Sequence, residues 1–321
     1  TVTVASAALP KAGGTMTGAI VLGTNTVGGL QITTTATSNI GLGANAVDSI
    51  TTGDYNVGLG DGALTANTEG NYNTAVGSLS LDANTTGSSN IALGTNALSS
   101  NTTASNNIAI GLEALLANTT GANNTAVGTS ALTANTTGTR NIAIGYQAMV
   151  TNTTSTENVV MGAYALKMNT TGDGNTAIGD AALNANTTAD NNTAIGNQTL
   201  KINTTGANNT AVGREALYAN TTGSYNIGIG VGAVKSNTTG NYNIGVGYFA
   251  LKTEASGTGN VAMGHASLED SNGGNYNTAY GYGSARNTTT GDYNVALGAY
   301  ALEANTTGYK NTAVGNFSLR Y

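Results

Sequence analysis

The stretch Asn118–Ala134, "NTTGANNTAVGTSALTA", decides how this chain is read, because residues 101–117 and 135–151 say almost the same thing. Copies of it begin at residue 33 and every 17 residues thereafter up to 305, seventeen in all and without a gap, from Thr33 to Tyr321. With position 1 set at Asn118, position 7 is Asn in every copy, from Asn39 through Asn124 and Asn226 to Asn311. Position 11 is Gly in every copy, from Gly43 through Gly128 and Gly230 to Gly315. Residues 1–32 carry no copy and form a separate N-terminal segment ahead of the rod of residues 33–321.

Between the two anchors, positions 8 and 10 take Thr, Ile, Val, Leu or Met, with Tyr280 the exception, and position 9 is nearly always Ala or Gly. A two-residue period reads as a short strand with one apolar face and one face of very small side chains. A second apolar point falls at positions 14 and 15, usually "AL", and positions 1 to 4, "NTTG", carry turn chemistry. No copy keeps an apolar i, i+3, i+4 stripe beyond one turn, and Gly recurs too often for helices to persist. The expected rung is therefore strand, turn, strand, turn. One such unit cannot bury its own apolar face, so copies must stack. The fold class that follows is all-β, a repetitive parallel β-roll or β-solenoid fibre with 17-residue rungs. At about 4.8 Å per rung, seventeen rungs would make a rod on the order of 80 Å long.

Stacking by itself accounts for the invariant residues. Asn side chains in register form amide ladders, as in cross-β stacks. An invariant Gly marks either positive φ or a backbone approach too close for a β-carbon. The small residue at position 9 suggests close approach on the outer strand face. That face is expected to pack against another copy of the chain, because a single thin rod of small side chains has a marginal core.

Composition agrees with a repeat protein rather than an enzyme domain: Gly 46, Pro 1, Trp 0, Phe 2 and 8% charged residues, with 39% hydrophobic residues that are mostly small. Zero cysteines remove disulfides, zinc ribbons and thiol catalysis. The net charge is −6 and the ten Lys and Arg are spread from Lys11 to Arg320, so no basic stripe is expected and nucleic acid is a poor partner. No apolar run approaches the roughly 20 residues that span a bilayer, and the N-terminus lacks the order of a signal peptide, so membrane insertion is not expected either.

The unit "NTAVG..AL" resembles the head repeat of YadA-type trimeric autotransporter adhesins over residues 33–321, here lengthened by "NTT". The segment Leu9–Gly23, "LPKAGGTMTGAIVLG", resembles the "GGTMTG" element of bacteriophage tail fibres. Together the resemblances imply a homotrimeric phage tail fibre or related virion fibre, at the virion surface. Other tail proteins and a host-surface glycan or protein receptor are its implied partners. Such fibres often continue into a self-cleaving chaperone domain.

Each chemically distinctive residue has a plainer reading beside it. His265, the single histidine, sits at position 12, which elsewhere holds Asp61, Tyr146, Arg214 and Tyr248, so an exposed turn residue is preferred over a catalytic or metal-binding one. Its copy loses the Asn-Thr-Thr turn and gathers Glu254, Glu269 and Asp270, which reads as a local irregularity rather than a metal or glycosidase cluster. Eleven of fifteen Tyr lie after residue 217, and Tyr225, Tyr242, Tyr276 and Tyr293 share position 6. That edge could stack on sugars or contact a protein, or simply cover neighbouring rungs. Eleven copies begin "NTT", formally a glycosylation sequon, which turn preference and duplication produce equally well. No "GxxxxGK[ST]" occurs. No catalytic residue, metal or cofactor is expected. The leading function is a structural, receptor-contacting phage fibre. A bacterial trimeric surface adhesin, an ice-binding solenoid and a polysaccharide-degrading β-solenoid are the alternatives.

Overall fold

The computed structural model describes residues 38–320, which fall into two compact units, residues 38–130 and 131–320. The tail-fibre-like segment Leu9–Gly23, the boundary at residue 32 and Tyr321 lie outside the described residues. The first unit carries six strands, from β1 (Ile40–Leu42) to β6 (Thr125–Val127), and the second eleven, from β7 (Ile142–Ile144) to β17 (Thr312–Val314). Each strand is three residues long and occupies positions 8 to 10 of its rung. Within each unit neighbouring strands pair in parallel at an offset of one copy, Ile40 with Val57 in the first and Thr193 with Thr210 in the second. Each unit is thus a β-solenoid, and at about 4.8 Å per rung the eleven strands of the second rise roughly 50 Å.

The rung differs from the expected strand, turn, strand, turn: it has one strand, and positions 12 to 17 form a continuous turn. The cause is backbone sign. In the rung 203–219, Asn208, Glu215 and Leu217 lie at φ 59, 58 and 50, positions 6, 13 and 15, and the same positions are left-handed in rung after rung. For Leu this conformation costs on the order of 1–2 kcal/mol. Hydrogen bonding offsets that cost. The alternation makes turn N–H groups point alternately to the rung before and the rung after: Glu215 donates back to the Asn197 carbonyl (3.1 Å), and Leu217 and Ala219 donate forward to Ala233 and Lys235 (3.0 and 2.9 Å). Strand and turn alike are bonded along the axis, so the buried backbone is satisfied with little regular sheet.

The core is a column of Leu at position 15 against Ala at positions 9 and 14, all fully buried in rungs such as Ala211, Ala216 and Leu217. Position 9 therefore points inward, and the bulkier residues at positions 8 and 10 point outward. This reverses the expected outer face. Beside a Leu the interior takes Ala or Gly at position 9, so the smaller member of the alternating pair is the one inside; Val160, which follows Met149 rather than Leu, is the one larger residue buried there among the described rungs. Where position 15 is the β-branched Val47 or Val234, position 9 of the next rung is Gly58 or Gly245. A β-carbon there would sit 2.6 or 2.5 Å from the valine Cγ2.

The Gly of position 11 satisfies both expected reasons at once. Gly230 has φ +126, and a β-carbon on it would lie 2.5 Å from the carbonyl oxygen of Gly247 in the next rung. Gly43 is alike, at φ +137 and 2.5 Å from Gly60. Gly128 (φ 131) and Gly315 (φ 116) share the conformation.

Candidate functional site

Two asparagine columns run inside the solenoid. At position 7 the side-chain oxygen accepts the backbone N–H of the next Asn, as Asn39 does from Asn56 at 2.8 Å, Asn107 from Asn124 at 2.9 Å, Asn209 from Asn226 at 2.9 Å and Asn294 from Asn311 at 3.0 Å. The side-chain amide then donates across the interior to the carbonyl 14 residues on, as Asn226 does to Gly240 at 2.8 Å. In several rungs that amide also donates to the Asn side chain of the rung before, as Asn209 does to Asn192 and Asn311 to Asn294, both at 3.1 Å. A second amide-to-amide ladder runs through position 1: Asn203 to Asn186 at 2.9 Å, Asn220 to Asn203 at 2.7 Å and Asn237 to Asn220 at 2.8 Å. Position 1 is thus core rather than exposed turn. The "NTT" asparagines, fully buried from Asn84 to Asn237, present no side chain for glycosylation in the folded rung. The adjoining Thr at position 2 is committed as well, its hydroxyl donating to the Thr carbonyl of the next rung, as Thr221 does to Thr238 at 2.8 Å.

The irregular copy 254–270 does not gather its acids. Glu254 replaces Asn at position 1 and is fully buried, its carboxylate accepting N–H bonds from Ser256, Gly257 and Gly273 (3.2, 2.5 and 2.9 Å) and the Ser271 hydroxyl (2.7 Å). Glu269 lies at position 16 between Lys252 (3.5 Å) and Arg286 (2.8 Å), and its hydrogen bond holds the Arg286 guanidinium above its ordinary range. Among the described residues no group of three His, Asp or Glu could hold a metal ion.

The position 6 tyrosines are brought together in pairs. Tyr225 stacks on Tyr242 at 5.2 Å and Tyr276 on Tyr293 at 5.2 Å, with Tyr55 and Tyr72 forming a like pair at 5.1 Å. Between the second-unit pairs stands Gly259, over which the Tyr276 ring leans. His265 is exposed and sandwiched between Tyr248 (5.1 Å) and Tyr282 (4.7 Å). Tyr282 then meets Tyr300 edge to face (5.2 Å, 62°) and Tyr300 stacks on Phe317 (5.3 Å), which makes a file of rings along positions 12 and 13. Partial burial, and then the hydrogen bond with Tyr282, raise the Tyr300 phenol pKa above its usual value.

A third surface is the outer strand face. Met161, Ile195, Ile229, Met263 and Leu297 at position 10 and Ile91, Ile142 and Val159 at position 8 are all exposed, and Tyr280 at position 10 reaches 59%. Alternation alone points these larger apolar side chains inward. The signal that corrects it is the Leu of position 15, already large enough to fill so narrow a rung.

Comparison with protein-family models finds no match, and comparison with curated proteins finds none either.

Proposed function

We propose that this protein is a structural and adhesive fibre, the homotrimeric shaft of a phage tail fibre at the virion surface. In this reading it is joined to other tail proteins and contacts a glycan or protein receptor on the host. It uses no cofactor and is not an enzyme. The observation that carries the reading is the outer strand face, where Ile, Leu, Met and Val stay exposed or half-buried in rung after rung. Contiguous exposed apolar surface on a soluble protein marks a place that something covers. A repeat surface is best matched by an identical repeat surface, and a symmetric oligomer supplies one. The bond of one copy to another therefore falls on positions 8 and 10 rather than on the buried position 9.

Light scattering tests it. The full chain is expected at about three chain masses, and Ile195→Lys with Ile229→Lys, which places two charges on that face and leaves each rung's interior intact, is expected to shift the mass to one chain. A wild-type monomer with unchanged solubility sinks the reading.

A further inference from the structure

The cations of this acidic chain are segregated. Among the described residues, 38–130 hold six Asp or Glu and no Lys or Arg, whereas 131–320 hold ten Asp or Glu and nine Lys or Arg. Seven of those nine, Lys167, Lys201, Arg214, Lys235, Lys252, Arg286 and Arg320, fall at positions 12 and 16, and within residues 131–320 positions 12, 13 and 16 together carry four carboxylates, Asp180, Glu215, Glu269 and Glu303. That edge has an excess of three positive charges in a protein of net charge −6. The three positions share one surface. Lys167 sits over the Tyr164 ring at 5.1 Å, Lys252 over Phe249 at 4.4 Å and Arg320 over Phe317 at 5.0 Å, while Lys201 and Lys235 flank Tyr218 at 5.9 and 6.0 Å. A 17-residue spacing scatters along the sequence what the solenoid gathers on one edge.

We propose that this edge of the second unit is a binding track for a carboxylated polysaccharide. The proposal rests on the adhesive-fibre reading and names its receptor class. The rings of the file Tyr248, His265, Tyr282, Tyr300 and Phe317 stand 4.7 to 5.3 Å apart; three of the four contacts are stacked at centroid distances wider than the roughly 3.5 Å of full face contact, and Tyr282 meets Tyr300 edge to face at 62°, so parts of ring faces stay open. Sugar C–H groups pack on such faces, and Tyr hydroxyls at their rims bond sugar hydroxyls. Ammonium and guanidinium groups beside the rings meet carboxylates, the Arg fork in two-pronged fashion. Lys167, Lys201 and Arg214 take part in none of the ion pairs formed among the described residues, whereas Lys235, Lys252, Arg286 and Arg320 each hold a glutamate. The rung spacing of about 4.8 Å is close to the advance of one pyranose unit, so a glycan can meet rung after rung in step. A folded protein partner has no such period, and a nucleic acid, with a phosphate every ~1.7 Å of duplex, needs far denser cations.

The test measures binding of the full chain to polygalacturonate by interferometry, with its methyl ester as the neutral polymer of the same backbone, at low and high salt. Expected are binding to the acid form alone, weakening with salt, and a loss of about tenfold or more in K167Q/K201Q/R214Q. R140Q/K310Q, which removes two cations away from the edge, should stay within about twofold of wild type. Y248S/Y282S should weaken binding at both salt concentrations, with melting curves confirming that every variant is folded. No binding to the acid form, equal binding to the ester, or equal losses in the two charge variants overturns the proposal. Light scattering on the same samples separates the two claims: a trimer that does not bind leaves the fibre reading standing, and a monomer that binds leaves the track standing.

Discussion

At the scale of single residues, the solenoid shows how narrow its tolerances are where the sequence departs from its own rule. Asp82 at position 16 has a carboxylate oxygen buried without a hydrogen-bond partner, and burial raises its pKa. For an acid, a raised folded-state pKa means that ionisation opposes folding. The penalty is complete at neutral pH and fades as pH falls through the raised value. Asp82→Asn is therefore expected to stabilise the first unit by up to about 1 kcal/mol at pH 7, with no gain in acid, read from melting curves at the two pH values. The left-handed Leu at position 15 is a residue fact that no single copy discloses, because Leu is a poor guess for positive φ. Positions 6 and 13 are more legible: Gly174 and Gly259 stand at position 6 and Gly62, Gly232 and Gly283 at position 13, with Asn at several others such as Asn45, Asn106 and Asn208.

At the scale of the element, the invariant spacing makes strand existence and register readable from the sequence alone, since Asn and Gly bracket every three-residue strand. Which face turns inward is not readable in the same way, because alternation gives the period of a strand and not its sign. The sign is fixed by what lies opposite, and opposite Ala211 lies a column already filled by Leu200 and Leu217. The pairing of Val234 with Gly245 shows the same constraint at work between neighbouring rungs. Gly245→Ala alone is expected to cost about 1–3 kcal/mol through overpacking, and adding Val234→Leu, the pair most rungs use, to recover most of it. A thermal-denaturation double-mutant cycle checks this, and additive losses would refute the coupling. The charged edge escapes sequence reading for a related reason: Lys201 and Lys235 are 34 residues apart in the chain and two rungs apart in space.

At the scale of the whole molecule, the bonds among the described residues join each rung to its neighbours, so within each unit stability is a sum of rungs and of the interfaces between successive rungs. Removing residues 186–202, one complete rung, brings Thr176 opposite Thr210 and restores every class of bond. Removing residues 186–201 leaves Ile202 as one extra residue at the single junction between the rungs of Thr176 and Thr210, where the register slips or a bulge forms. The first deletion is expected to keep the wild-type melting profile, the second to lower the melting temperature and break the melt into two steps at that junction; similar behaviour of the two would contradict the in-register stacking. That one-copy offset also reaches into heredity. Seventeen residues are 51 nucleotides, a whole number of codons, so misaligned recombination between neighbouring copies adds or drops complete rungs and keeps the reading frame. The number of rungs becomes a quantity that a population can vary and select without passing through a misfolded intermediate.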